Sequence, residues 1–166
     1  EENTLIFFIS DNGGKPGGNY SYNMPYRGEK GELWEGGIRI PFCMKWPGKI
    51  PANTWYDEPV ITLDVVPTII NAAGGSILPE YDIDGKDLLP YIDGSISTSP
   101  HEFLYWKLNA SYAVRDADLK LVYISGASRP FLYKISEDLS ETTDLYDIYP
   151  SEVSRLKTKC NEWKAT

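Results

Sequence analysis

The first hydrophobic run, Thr4-Leu5-Ile6-Phe7-Phe8-Ile9, is unbroken and stops at Ser10-Asp11-Asn12-Gly13-Gly14. Such a run predicts a strand covered on both faces, as in the parallel sheet of an α/β protein. An interior strand needs neighbours on both sides, so one that opens so close to residue 1 implies partners from elsewhere. Phe42–Trp46 reads as a second short strand, ended by a turn at Pro47-Gly48. Leu63 to Ala73 reads as a helix: Asp64 is placed as N-cap, Pro67 falls in the first turn, and Val65, Val66, Ile69, Ile70 and Ala73 share one face. Leu88–Ile92 reads as a shorter helical segment. After Pro100 the texture changes. Phe103–Trp106, Ser111–Arg115, Lys120–Ile124 and Phe131–Ile135 are short strand-like runs separated by turn residues, which predicts a small antiparallel sheet. From about Ser151, Val153, Leu156, Cys160 and Trp163 recur at 3-4-3 spacing, the pattern of one helix face laid on a sheet.

Composition adds limits to this picture. A chain of 166 residues, 42% apolar and 24% charged, can bury a core as one domain or as a domain with a small appendage. The net charge of −8 is uneven: residues 1–50 hold six acids and six bases, whereas residues 51–166 hold 18 acids and 10 bases. No basic stripe appears, which argues against a nucleic-acid partner. No run approaches the ~18 apolar residues of a membrane span, and the N-terminus lacks a basic-then-apolar leader pattern. Cys43 and Cys160 are far apart without metal-type spacing and are expected as buried free thiols.

Two segments could carry chemistry. Asp11-Asn12-Gly13 closes a strand at its C-terminal end, the edge where ligand sites form in α/β sheets. A carboxylate and a carboxamide offer oxygen ligands to a hard cation such as Ca²⁺ or Mg²⁺. The same triplet is also a common turn, and two ligands fall short of the ~6–8 that Ca²⁺ takes. The second segment, Arg27 to Pro41, is dense in charge and glycine; Lys30 could offer its ammonium to an anion, and a solvated charged loop is the alternative. Residues 15–32 before and within it read as one long polar loop.

Taken together these segments resemble the sulfatase family. The family pattern is a strand ending Asp-Asn-Gly, a variable loop, a Gly-Lys region, then Glu-Gly-Gly-x-Arg-x-Pro. Here the parts are Ser10–Gly13, Gly28–Lys30 and Glu35–Pro41, in that order. Trp46–Ile50, Asp64–Thr68, Asp84–Pro90, Val114–Asp116 with Leu119–Val122, and Glu141–Leu145 match further family segments. The resemblance implies an alkaline-phosphatase-like α/β fold: residues 1–98 as the C-terminal part of the main α/β domain, and 99–166 as a small subdomain of antiparallel sheet plus packed helix. It implies Asp11 and Asn12 as ligands of the active-site Ca²⁺ and Lys30 as the residue that binds a sulfate oxygen. Glu35–Pro41 is implied as scaffold for the Lys30 loop, with Arg39 not in direct contact with the sulfate.

The family nucleophile, a formylglycine made within a Cys-x-Pro-x-Arg type motif, has no counterpart here. Cys43 is followed by Met44-Lys45-Trp46 and Cys160 by Asn161-Glu162-Trp163. His101, the sole histidine, reads as part of an exposed turn. Three functions follow as expectations. The chain contributes to hydrolysis of a sulfated small molecule or glycan once an N-terminal sulfatase portion completes the site. Alternatively it is a stand-alone binding module, oligomeric through the Leu5–Ile9 strand, or part of a related phosphoester hydrolase. The Asp-Asn-Gly form fits sulfatases better than relatives with His after the Asp, such as phosphonate monoester hydrolases.

Overall fold

The alternation after Pro100 becomes a four-stranded meander: β3 (Leu104–Leu108), β4 (Ser111–Arg115), β5 (Leu119–Tyr123) and β6 (Phe131–Lys134), each antiparallel to the next. Before it in the chain come β1 (Ile6–Ile9), the single turns α1 (Pro16–Asn19) and α2 (Glu35–Ile38), β2 (Phe42–Lys45), α3 (Val65–Ala72) and α4 (Leu89–Ile92); α5 (Pro150–Lys164) closes it. The computed structural model describes residues 2–165, leaving aside the side chain of Asn19. The mixed fold with an antiparallel sheet and a packed final helix is the one expected.

Two compact units emerge: residues up to Ile9 with Phe42–Glu102, and Ser10–Pro41 with the chain from Phe103 onward. In the second unit one face of the meander packs on α5. Val114, Leu121 and Leu132 meet Val153, Leu156 and Cys160, and all six are buried. Trp163 stacks on Tyr105 with ring centres 5.0 Å apart. The opposite face carries Ala113, Val122, Tyr133 and Ile135 against Leu33 and Trp34, so period-2 alternation sends each strand's residues to two different cores. That second core ties Ser10–Pro41 to the sheet.

In the first unit the opening strand departs from expectation. Among the described residues β1 pairs with β2, antiparallel, with Ile6 opposite Lys45 and Ile9 opposite Phe42. It is not covered on both faces: Ile6 is 44% and Phe8 70% exposed. Its exposure alternates because a two-stranded ladder shields one face at most, whatever the hydrophobicity of the run. The helix after Leu63 forms as α3, preceded by a 3₁₀ turn, Thr62–Asp64. Asp64 does not act as a simple N-cap. Its buried carboxylate accepts from the N–H groups of Ile61 and Lys86, both at 2.8 Å, and lies 2.8 Å from His101 Nε2. His101 is therefore not an exposed turn residue; its side chain is almost fully buried against Asp64. Cys160 is a buried free thiol as expected, whereas Cys43 is free but exposed.

Candidate functional site

The second unit contains a cleft of about 470 Å³. Asp11, Asn12 and Lys30, the three residues singled out from the sequence, all line it, as do Tyr22, Asn23, Tyr26 and Arg39. The cleft exists because three backbone segments are locked edge to edge. Ser10 N–H donates to Pro41 O at 3.2 Å, and Gly13 N–H to Gly37 O at 2.9 Å. Lys30 N–H donates to Gly14 O at 3.1 Å, which places the Lys30 loop beside the Asp-Asn-Gly turn.

The glycines are explained by this close approach. A Cβ on Gly13 would sit 1.7 Å from Gly36 O, and one on Gly36 would sit 2.4 Å from Gly28 O and 2.5 Å from Arg27 O. No side chain fits at either position without moving backbone. The Glu-Gly-Gly turn is thus wedged between the Asp-Asn-Gly turn and the loop that carries Lys30.

Beneath it lies a buried ionic cluster. Glu35 opens α2, and its Oε1 is 2.9 Å from Lys120 Nζ, which is also 2.8 Å from Glu141 Oε1. Glu141 Oε2 accepts from the Glu35 N–H at 2.6 Å. Arg115 approaches Glu35 Oε2 at 3.5 Å. Burial pushes the Glu141 carboxyl above its ordinary range, and the Lys120 ammonium opposes that shift. Arg27 completes the anchor: its Nη1 donates to Glu141 O at 3.1 Å and its guanidinium lies 3.8 Å over the Trp34 ring.

Within the cleft the charged groups are less committed. Asn12 donates through Nδ2 to Gly13 O at 3.1 Å, and its Oδ1 has no hydrogen bond among the described residues. That leaves the oxygen as the atom able to act as a ligand. The donor chemistry of Asp11 and Asn12 fits part of a hard-cation site, yet among the described residues no cluster of three or more His, Cys, Asp or Glu could hold a metal. Arg39, expected as part of the scaffold, also lines the cleft. Its nearest carboxylate, Glu35 Oε2 at 3.7 Å, is shared with Arg115. Arg27, Arg115, Arg129 and Arg155 each hydrogen-bond through the guanidinium to protein, and Arg39 is the one arginine of the five that does not. It is held instead by that ion pair and by the Tyr26 ring, 5.0 Å from its guanidinium.

Asn23 was not legible as a functional position. Its amide bridges the site: Oδ1 accepts from Gly14 N–H at 2.8 Å, while Nδ2 donates to Gly14 O and Gly28 O, both at 2.9 Å. Nothing in a polar loop marks one asparagine as the residue that staples two others, since the signal is the fold of the loop itself.

Comparison with known proteins points to the same family. The Sulfatase family model matches residues 1–76. Steryl-sulfatase of Rattus norvegicus is 40% identical over 118 residues, covering 65% of this chain and 20% of that protein. A sulfatase of Formosa agariphila is 30% identical over 98% of this chain and 33% of its own length. The crystal structure of Ps i-CgsB superposes with a TM-score of 0.90 at 28% identity, covering 98% of this chain and 36% of that one, and its complex with k-i-k-neocarrahexaose does so at 0.88. The chain therefore spans between a fifth and about a third of the length of these relatives. It belongs to the sulfatase family and corresponds to the C-terminal portion of its members.

Proposed function

We propose that the protein carrying this chain hydrolyses a sulfate ester, and that this chain supplies the Lys30, Asp11 and Asn12 side of the site. What supports the reading is one observation: these three side chains, from a turn and the loop that follows it, line a single cleft. Lys30 holds a sulfate oxygen and, through its compact ammonium, stabilises the charge that grows on the leaving oxygen as the S–O bond breaks. Asp11 and the Oδ1 of Asn12 would hold a hard divalent cation, Ca²⁺ or Mg²⁺, with further ligands from an N-terminal sulfatase portion. Such a cation supplies Lewis-acid polarisation of the sulfate. The nucleophile also belongs to that portion, because neither Cys43 nor Cys160 lies in a Cys-x-Pro-x-Arg setting.

The test joins this chain to an N-terminal sulfatase portion bearing that motif and measures hydrolysis of an aryl sulfate. Lys30→Ala should lower kcat by about 100-fold or more, the usual cost of losing one group that stabilises transition-state charge. Full activity in that variant would overturn the role of Lys30. A second reading has its own observation in the exposed Ile6 and Phe8 of β1: a non-catalytic module that self-associates through this strand. Light scattering that returns a monomer at high concentration would overturn it.

A further inference from the structure

A short turn after β6 holds the Lys30 loop at both ends. Ser140 Oγ donates to Pro25 O at 2.6 Å, Arg27 Nη1 to Glu141 O at 3.1 Å, and the Glu35 N–H to Glu141 Oε2 at 2.6 Å. Lys30 lies between Arg27 and Glu35, and the Gly36 N–H closes that loop by donating to Arg27 O at 2.7 Å. The turn is itself braced: the Asp138 carboxylate accepts from the Thr142 and Thr143 N–H groups, both at 2.8 Å. The other Glu141 oxygen meets Lys120 of β5, so the loop is fastened to a strand of the sheet.

Glu141 is a costly residue for this turn on local grounds. Its backbone is left-handed, with φ 52°, a conformation that glycine adopts without strain and glutamate does not. Its side chain is fully buried as well, which disfavours the charged form. Both costs fall on one position because the carboxylate has two tasks: one oxygen takes the Glu35 N–H and the other the Lys120 ammonium. Glutamine offers one acceptor oxygen in place of two, and aspartate falls a methylene short. This chain's own residues enclose Glu141 completely, so its role does not depend on what else surrounds the cleft. We propose that Glu141 is a positioning residue for Lys30, fixing through Arg27 and Glu35 the loop that presents the ammonium to its anion. This rests on the sulfatase reading of Lys30.

The experiment places Glu141→Gln in the full-length protein and reads the loop in two ways. Hydrogen exchange followed by mass spectrometry should show residues 27–35 exchanging about tenfold faster with β4 and β5 unchanged, since the opening is local. Faster exchange throughout the sheet, or no change in the loop, would overturn the proposal. In steady-state assays the Ki for inorganic sulfate and the KM for 4-nitrophenyl sulfate should each rise about tenfold, because a displaced ammonium holds the sulfate less well. In a Lys30→Ala background the same substitution should change neither by more than about twofold, the non-additivity of two residues that act together. Equal losses in both backgrounds would overturn the proposal, and so would a lower kcat with Ki unchanged, the signature of a smaller folded fraction. Should Glu141→Gln not fold, Glu141→Asp, which keeps the charge facing Lys120, is held to the same results. Hydrolysis of no sulfate ester by the unmodified protein would sink the sulfatase reading instead, and hydrogen exchange would then decide by itself whether Glu141 holds the loop.

Discussion

Lys120→Met removes an ammonium and keeps most of its aliphatic volume, which isolates the electrostatic part of the buried cluster. Lys120 is fully buried and lies 2.9 Å from Glu35 and 2.8 Å from Glu141. At an effective dielectric constant of about 20, one such contact is an attraction of about 6 kcal/mol before desolvation is charged against it. Removal strands the two carboxylates unequally. Glu35 keeps Arg115 at 3.5 Å and Arg39 at 3.7 Å, whereas Glu141 keeps only the Glu35 N–H. One uncompensated buried carboxylate sets the net loss at about 3–5 kcal/mol at pH 7. The pH dependence has a definite sign. The Glu141 carboxyl is already raised by burial, so the folded state holds that proton more tightly than the unfolded chain does. The stability it lends is fully present below the ordinary glutamate range, about 4.3, and is lost as pH rises through the higher folded value. Without Lys120 the opposing attraction is gone, so the penalty should be largest at neutral pH and shrink towards pH 4. Urea unfolding followed by Trp fluorescence at several pH values measures both features. A difference below about 1 kcal/mol at pH 7, or one that does not change with pH, would refute the reasoning.

Other substitutions probe the remaining contacts. Gly36→Ala forces a methyl to within 2.4 Å of Gly28 O and should cost roughly 2 kcal/mol or more in a denaturation midpoint, because backbone must move; the displaced loop carries Lys30, so anion affinity should fall with it. Leu156→Ala empties the centre of the α5 interface, where the leucine is fully buried, and should cost about 2–5 kcal/mol by the same measurement. Asp64→Ala leaves the N–H groups of Ile61 and Lys86 and the His101 ring without their acceptor, and should destabilise by about 3 kcal/mol, clearly more than His101→Ala.

Much of the second unit could be read from local pattern. The four strand runs after Pro100 and the 3-4-3 face of α5 follow from side-chain periodicity, which is a property of each backbone segment alone. Sequence also singled out Asp11, Asn12 and Lys30, since an ordered set of short motifs survives without knowledge of distance. Tertiary structure decided what local pattern does not encode. Glu35 and Lys120 meet across 85 positions and His101 meets Asp64 across 37, so a histidine that reads as a turn residue becomes a buried partner. The run Leu5–Ile9 has the composition of a doubly covered strand, yet its pairing with β2 fixes which residues are shielded. Arg39 and Tyr22 belong to the cleft because loops without periodicity were folded against one another, and the hydrogen bonds that hold such loops are set by the neighbours they find.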